Sequence, residues 1–223
     1  MADAGKRGYW IVHVLKVKDE AKFNAHLAAE NFEAKVGSPK GTVRMFGKVR
    51  RTLKGPDPVE LAAIVEFPSL KAAIDAWDDP EGYAPAKALL GEDETETVDR
   101  RIAVIEADAL PDLKPGQGFW INHVHELRNE RAFFDYAEAS MPCFTSAHFG
   151  PVAHQFVGAR KAVLGAILGF ASPEAAIETY TASPEYERAK EAGGIAASED
   201  DVVDRTICVI EYFPAYDQLA TKE

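Results

Sequence analysis

Short runs of apolar, aromatic and β-branched residues alternate along the chain with stretches in which apolar residues recur every three or four positions. The first kind of run is typical of strands and the second of helices. GYWIVHV, which starts at Gly8, belongs to a predicted strand over 9–17, and Asp19 stands where the N-cap of a helix over 21–35 is expected. The elements predicted next are strands over 42–53 and 59–67, a helix opened by Ser69, and a strand over 102–106. This order is β-α-β-β-α-β.

The same order occurs a second time. GFWINHV at Gly118 repeats GYWIVHV at Gly8, and VDRTICVIE repeats VDRRIAVIE. In our alignment Phe46 matches Phe156, and Arg44 therefore matches His154. The second set of predicted elements comprises strands over 119–127, 152–161, 163–170 and 207–211, with helices over 131–140 and from Ser172. One unit therefore spans 8–110 and the other 118–215, joined by the Pro- and Gly-bearing linker 110–118.

The fold follows from the repeat. A four-stranded βαββαβ sheet covers one face with its helices, and its other face needs a partner. Two such sheets in one chain can pack face to face. We therefore predict an α+β protein, with two ferredoxin-like repeats packed sheet to sheet as an intramolecular α/β barrel. The monomer would imitate a dimer, and further association into a homodimer is left open.

Composition narrows the partners and the compartment. The 223 residues contain 25 Lys and Arg against 36 Asp and Glu, a net charge of −11, which argues against nucleic acid or an anionic membrane as partner. No apolar run is long enough to span a bilayer, and the first residues lack the pattern of a signal peptide. Cys143 and Cys208 are the two cysteines, with no CxxC pair, so a reducing cytoplasm is expected.

Several segments resemble a known family. They are GYWIVHV, VEFPSLKAAIDAW, the PEGY turn and the closing VIE. They are similar to the bacterial family called domain of unknown function 1330, in the dimeric α/β-barrel superfamily, and the resemblance extends over both units. It implies the barrel fold but no single activity, because the superfamily includes isomerases, cyclases, monooxygenases and haem-degrading enzymes. The usual family member is one unit that forms a homodimer, whereas this chain joins two diverged units.

Histidines are the main candidates for chemistry. His13 and His123 occupy the same place on the first strand of each unit. An imidazole titrates near neutral pH and suits a general base, although a core histidine bonded to backbone would fit the same pattern. His123 and His125 lie on one strand face, and His148 and His154 come next. No HxxxH pair or carboxylate triad supports a metal, so we assign no metal site.

The third strands of the two units differ in a way that affects the pocket. Glu66 of the first unit is replaced by Gly169 in the second. Glycine in a strand leaves space, so we predict the larger cavity in the second unit. Glu66 would act as an acid or base, or pair with Arg44. The predicted ligand-binding residues are His125, Trp120, Asn122, His148, Tyr180, Arg44 and Glu66.

The sequence has no P-loop, GxGxxG, GxSxG or HExxH motif, which disfavours nucleotide, hydride and serine-hydrolase chemistry. We expect a small-molecule enzyme without cofactors, isomerase-, lactone hydrolase- or cyclase-like, acting on a small, aromatic or unsaturated acid. His123, His154 and His13 would transfer the proton. The alternative is a non-catalytic protein that binds a small molecule in the barrel.

Overall fold

In the part of the chain that the structure describes, eight antiparallel strands close into a barrel, with six α-helices on the outside. The computed structural model describes residues 5–29 and 41–213. The strands are β1 (Lys6–Val17), β2 (Thr42–Lys54), β3 (Leu61–Phe67), β4 (Val98–Asp108), β5 (Gly118–Leu127), β6 (Ser146–Val157), β7 (Leu164–Phe170) and β8 (Val203–Glu211). The helices are α1 (Glu20–Ala29), α2 (Leu70–Asp75), α3 (Tyr83–Ala88), α4 (Glu130–Ser140), α5 (Pro173–Ala182) and α6 (Pro184–Ala192).

The strand order repeats itself around the barrel. It runs β4-β1-β3-β2 through the first half and β8-β5-β7-β6 through the second. Two seams close the circle, one between β2 and β8 and one between β4 and β6. The predicted α+β barrel is therefore confirmed. β1 and β5 therefore occupy equivalent positions in the two halves of the barrel.

Side chains alternate between the barrel interior and the layer under the helices, as the period of two in a strand requires. On β1, Tyr9 and Ile11 join an interior cluster that draws on both halves, whereas Trp10 packs under the helices of its own half. Trp10 Nε1 donates to the carbonyl of Ala73, and Trp120 Nε1 makes the matching bond to Ala176. The two tryptophans thus fix the helices on the sheets in the same way.

The predicted helix starts are confirmed by their caps. Ser69, Asn129 and Ser172 each accept a hydrogen bond from the backbone N–H three residues later. The first helix was predicted to reach residue 35. The described part of α1 ends at Ala29, and 30–35 lie outside the described residues.

The predicted register of the second strands is wrong. Phe46 lies opposite Ala63, and Phe149 lies opposite the matching Ala166, so Phe149 rather than Phe156 is equivalent to Phe46. MFGKV therefore matches HFGPV, and the turns that follow contain Gly55 and Gly158 at φ +114° and +111°. The two halves differ in length in the segment before β2, so the alignment of the two halves shifts there.

This correction changes three assignments. His148 is the counterpart of Met45, and His154 is the counterpart of Arg51 rather than of Arg44. β6 begins at Ser146 instead of 152, because the segment from Ser146 to Pro151 pairs with β7. The last strands also begin earlier than predicted, at Val98 and Val203.

The expected cavity beside the glycines of β7 is absent at those positions. A Cβ atom at position 165 would lie 2.5 Å from Cδ1 of Ile11 and 2.8 Å from Cγ2 of Ile105. At position 169 it would lie 2.5 Å from Oγ of Ser146. The glycines therefore make room for neighbouring side chains rather than for a ligand.

We expect Gly165→Ala to lower the free energy of unfolding by about 1–3 kcal/mol, because the added methyl group overlaps Ile11 and Ile105. Ile11→Val removes the Cδ1 atom at fault and should restore part of this loss, which a double-mutant cycle of urea unfolding measures. Gly5→Ala is the matched control, since nothing lies near its added Cβ. Strict additivity of Gly165→Ala and Ile11→Val would contradict the close packing.

Candidate active site

The centre of the barrel contains a pair of histidines whose rings are in contact and tilted by 40°. His13 on β1 and His123 on β5 are both fully buried, with ring centroids 4.2 Å apart. Their Nε2 atoms lie 3.1 Å from the carbonyl oxygen of Ile121 and 3.2 Å from that of Ile11. Each ring therefore donates to the backbone of the opposite half. The two bonds are reciprocal and link the two sheets across the barrel axis.

Burial keeps both rings neutral. It lowers the pKa of His13 to about 3 and the pKa of His123 well below its ordinary value. With Nε2 donating, Nδ1 is the acceptor, and neither Nδ1 has a hydrogen-bond partner among the described residues. Sγ of Cys208 lies 3.5 Å from Nε2 of His13, and burial raises the pKa of this thiol. A substrate in the solvent has no direct path to His123 in this arrangement.

The turns 55–60 and 158–163 join β2 to β3 and β6 to β7. We call the barrel end beside them the hairpin mouth, formed by Asp57, Arg101, His125, Arg160, Asp204 and Thr206. His125 is half-buried there, with its ring centroid 6.3 Å from that of His123. The hairpin mouth thus contains a histidine that is closer to solvent than the central pair.

Both nitrogens of His125 are engaged. Nδ1 lies 2.9 Å from the carbonyl oxygen of Lys161, so it carries the proton, and Nε2 accepts from the hydroxyl of Thr206 at 3.0 Å. Burial lowers the pKa of His125, the bond to Lys161 partly offsets this, and the charges of Arg160 and Arg101 lower it further. A neutral imidazole with its acceptor nitrogen facing a hydroxyl is poised to accept a proton.

Two arginines close the hairpin mouth, each with one carboxylate partner. Arg101 donates through Nη2 to Oδ2 of Asp57 at 2.7 Å, and its side chain is 5% exposed. Arg160 forms a similar ion pair with Asp204 through Nη2. Within the described part of the chain, the Nη1 atoms of both arginines are buried without a hydrogen-bond partner.

The opposite end, which we call the linker mouth, is defined by Tyr9, Arg44, Glu66 and His148. Arg44 Nη1 lies 2.6 Å from Oε2 of Glu66, which is the ion pair considered from the sequence. Arg44 also donates to the carbonyl of Pro111, and the Tyr9 hydroxyl accepts from the N–H of Leu110. The segment between β4 and β5 therefore covers this mouth.

His148 reaches the linker mouth from the second half. Its Nδ1 donates to the carbonyl of Asp108 at 3.1 Å, and its buried Nε2 has no hydrogen-bond partner in residues 5–29 and 41–213. Burial lowers its pKa. The structure thus brings His148 towards Glu66 and Arg44, and separates all three from His125.

Three other predicted residues face the helices rather than the interior. Trp120 lies in the core beneath α5 and α6, and Tyr180 of α5 packs against that core, with its hydroxyl donating to Glu199 at 3.3 Å. Asn122 is buried on the same side of β5, and its Oδ1 lacks a hydrogen-bond partner among the described residues. These side chains do not meet the interior histidines.

His154 lies on the outer surface. It is exposed, packs on Phe156 with ring centroids 4.7 Å apart, and lines an open depression of about 470 Å³ formed by residues 152–159, 161 and 162. His125 bonds to the carbonyl of Lys161 in the same turn. The depression and the hairpin mouth therefore lie next to a common backbone segment, but His154 and His123 do not converge.

The sequence analysis missed Arg101, Arg160 and Thr206. A signal existed in the repeat, because VDRR becomes VDRT and GPD becomes GAR. With the corrected register, Thr206 is the counterpart of Arg101, and Arg160 is the counterpart of Asp57. The described residues contain no group of three His, Cys, Asp or Glu side chains that could hold a metal ion.

The comparisons with known proteins identify a domain and a fold. Residues 7–107 match the family described as domain of unknown function (DUF1330). No curated protein matches the chain. Within the described ranges, no helix is long and apolar enough to cross a membrane.

Two solved structures share the fold over nearly their whole length. An anthrone oxidase-like protein is 13% identical with a TM-score of 0.54, and the alignment covers 100% of this chain and 98% of that one. A candidate monooxygenase from Fusobacterium nucleatum subsp. nucleatum ATCC 25586 is 12% identical with a TM-score of 0.51, covering 95% and 99%. At these identities the likeness establishes the barrel and not the chemistry.

The central histidines should make the protein sensitive to acid. Below pH 6.5 the unfolded chain protonates His123 while the folded chain does not, so the free energy of unfolding falls as pH falls. Each such histidine contributes a slope of about 1.4 kcal/mol per pH unit, which for His13 extends down to about pH 3.

Urea unfolding between pH 7 and pH 5 measures this slope. We expect His123→Leu to have a shallower slope than the wild type, whatever its stability at pH 7. Val65→Ala is the control, because it alters the core without removing a titratable group and should retain the wild-type slope. Equal slopes in His123→Leu and the wild type would mean that His123 takes up protons as readily in the folded protein.

Proposed function

We propose that this protein is a small-molecule enzyme in which His125 transfers a proton to or from a small organic acid at the hairpin mouth. The reaction would be an isomerisation, a lactone opening or a cyclisation on an aromatic or unsaturated acid. The observation that carries the proposal is the position of His125, half-buried beside two arginines and next to the sealed central pair. It is neutral and titratable, and it lies closer to solvent than that pair.

The hydrogen bonds of His125 suit a general base. The carbonyl of Lys161 accepts from Nδ1 and holds the ring in one tautomer, which leaves Nε2 as the basic atom. The Thr206 hydroxyl that now bonds to Nε2 is fully buried, so it acts as a positioning group and not as a nucleophile. A substrate proton would reach Nε2 by displacing this bond.

The central pair has a different part in this proposal. His13 and His123 are neutral, buried and bonded to backbone, which supports a role in holding the sheets together. Their open Nδ1 atoms make the barrel centre polar without placing a charge there. The chemistry is accordingly assigned to His125 and no longer to His123.

The alternative is a protein that binds the same small acid without reacting. The observation in its favour is that both nitrogens of His125 are already engaged. Hydrogen bonding alone would then orient a ligand at the hairpin mouth.

We also infer that the two halves are diverged ferredoxin-like copies of one DUF1330 unit, so that the chain is a pseudo-dimeric monomer. The repeated strand order supports this, as do the matching tryptophan bonds and the reciprocal histidines. Reciprocal contacts of this kind are what a twofold interface produces.

Proton transfer can be tested before the substrate is known. Small lactones, phenols and unsaturated acids are incubated with the protein in deuterium oxide, and proton NMR follows solvent exchange at carbon as well as ring opening. We expect the wild type to act on one of these classes and His125→Gln to be slower by about 10²- to 10⁴-fold. His154→Gln serves as the control and should retain the wild-type rate.

The same panel separates the two candidate functions. If a compound raises the unfolding midpoint but undergoes neither exchange nor ring opening, the protein is a binding protein. If His125→Gln folds and reacts as fast as the wild type, another residue transfers the proton.

A further inference from the structure

We propose that Arg101 and Arg160 together bind the carboxylate group of a small monoanion at the hairpin mouth. This site deepens the proposed function, on which its catalytic meaning rests, since it would hold the acid group beside His125. Its binding role can be measured without turnover.

The first observation is the state of the two guanidinium groups. Nη2 of each arginine donates to one carboxylate, that of Asp57 for Arg101 and that of Asp204 for Arg160. Each keeps a buried Nη1 with no hydrogen-bond partner anywhere in the described ranges. Buried N–H groups are rarely left unpaired in native proteins, and those of a charged group are the least favourable to leave so.

The second observation is that the turn 158–163 brings the two arginines to the same end of the barrel. The backbone at Gly158 packs on Arg101 so closely that an added Cβ would lie 2.7 Å from its Cγ. Arg160 follows two residues later in the same turn, and Lys161 bonds to His125. The charges of both arginines lower the pKa of His125, in addition to its burial.

The charges at the hairpin mouth favour a monoanion over a dianion as the ligand. Two arginines face two aspartates, and His125 is neutral, so the hairpin mouth has no net charge before an anion arrives. A monoanion can take one N–H from each guanidinium with two oxygens, which is the geometry that a carboxylate offers. A phosphate dianion would bring a second negative charge close to Asp57 and Asp204, and should bind more weakly.

The pseudo-twofold predicts one site and not two. The counterpart of Arg101 is Thr206, and the counterpart of Arg160 is Asp57. Both counterparts line the same hairpin mouth, so the pseudo-twofold generates no second pair of arginines. A carboxylate should bind at one equivalent per chain.

Isothermal titration with benzoate, at constant ionic strength and pH 7.5, tests the site. We expect one equivalent to bind, and phosphate to bind more weakly. Arg160→Gln removes one donor, and Arg101→Lys keeps the charge but loses the planar fork. Each should weaken benzoate about 10- to 100-fold, as expected for losing one charged hydrogen bond.

Arg50→Gln is the matched control. Arg50 also pairs with a carboxylate, Glu211, but at the other end of β8, so this variant should bind benzoate as the wild type does. Thermal unfolding verifies that each variant is folded. Arg160 is the safer position, because its side chain is 28% exposed whereas that of Arg101 is 5% exposed.

Several outcomes would overturn the site. They are no benzoate binding to the wild type, equal binding to folded Arg160→Gln, two equivalents per chain, or phosphate binding more tightly than benzoate. Failure of the proposed function gives a different result, in which benzoate binds as expected but no acid reacts. Conversely, a reaction that needs His125 but is unchanged in Arg160→Gln would retain the function and reject the carboxylate site.

Discussion

The reciprocal hydrogen bonds of His13 and His123 are the constraint on which the rest of the barrel depends. Each ring donates to a carbonyl of the opposite half, so the two sheets are held at a fixed separation across the axis. Charging either ring would leave a buried cation without a counter-charge, and burial therefore keeps both neutral. The centre is consequently a polar, sealed layer. Any chemistry on a small molecule is displaced from the centre to the two mouths of the barrel.

The two halves of the chain match in the residues under the helices and differ in the residues at the barrel mouths. Under the helices, Arg100 pairs with Glu94 and with the hydroxyl of Tyr83, and Arg205 pairs with Glu199 and with the hydroxyl of Tyr186. These buried networks are nearly identical, as are the two tryptophan bonds. At the mouths the matching positions carry different charges, as with Asp57 and Arg160. The positions that match between the two halves hold the sheets and helices together. The positions that differ surround the open ends of the barrel.

The strand order, the two halves and the helix caps could be predicted from the sequence because each depends on local pattern. Ser69 and Asn129 each precede a segment in which apolar residues recur with helical spacing. The similarity of GYWIVHV and GFWINHV indicates the repeat. The register of β6 could not be predicted, since the single aromatic residue of MFGKV, Phe46, has two possible partners in the second half, one in HFGPV and one in HQFVG. Arg101 and Arg160 were missed for another reason. They are far apart in the chain, and only closure of the barrel brings the turn after β6 against β4.

Joining two units in one chain has a physical consequence at the axis. In a dimer of identical units every substitution near the axis occurs twice, so a cation on one side faces a cation on the other. Here the first half supplies Arg101 and Asp57, and the second supplies Arg160 and Thr206. Two identical units that both carried Arg101 and Asp57 would form two arginine–aspartate pairs. Neither turn would then supply an arginine like Arg160. The unequal halves instead supply one arginine each, and only the second half supplies a histidine at position 125, where the first half has Leu15. Two unequal halves in one chain can thus form an asymmetric site, whereas a homodimer of identical units repeats every group across its axis.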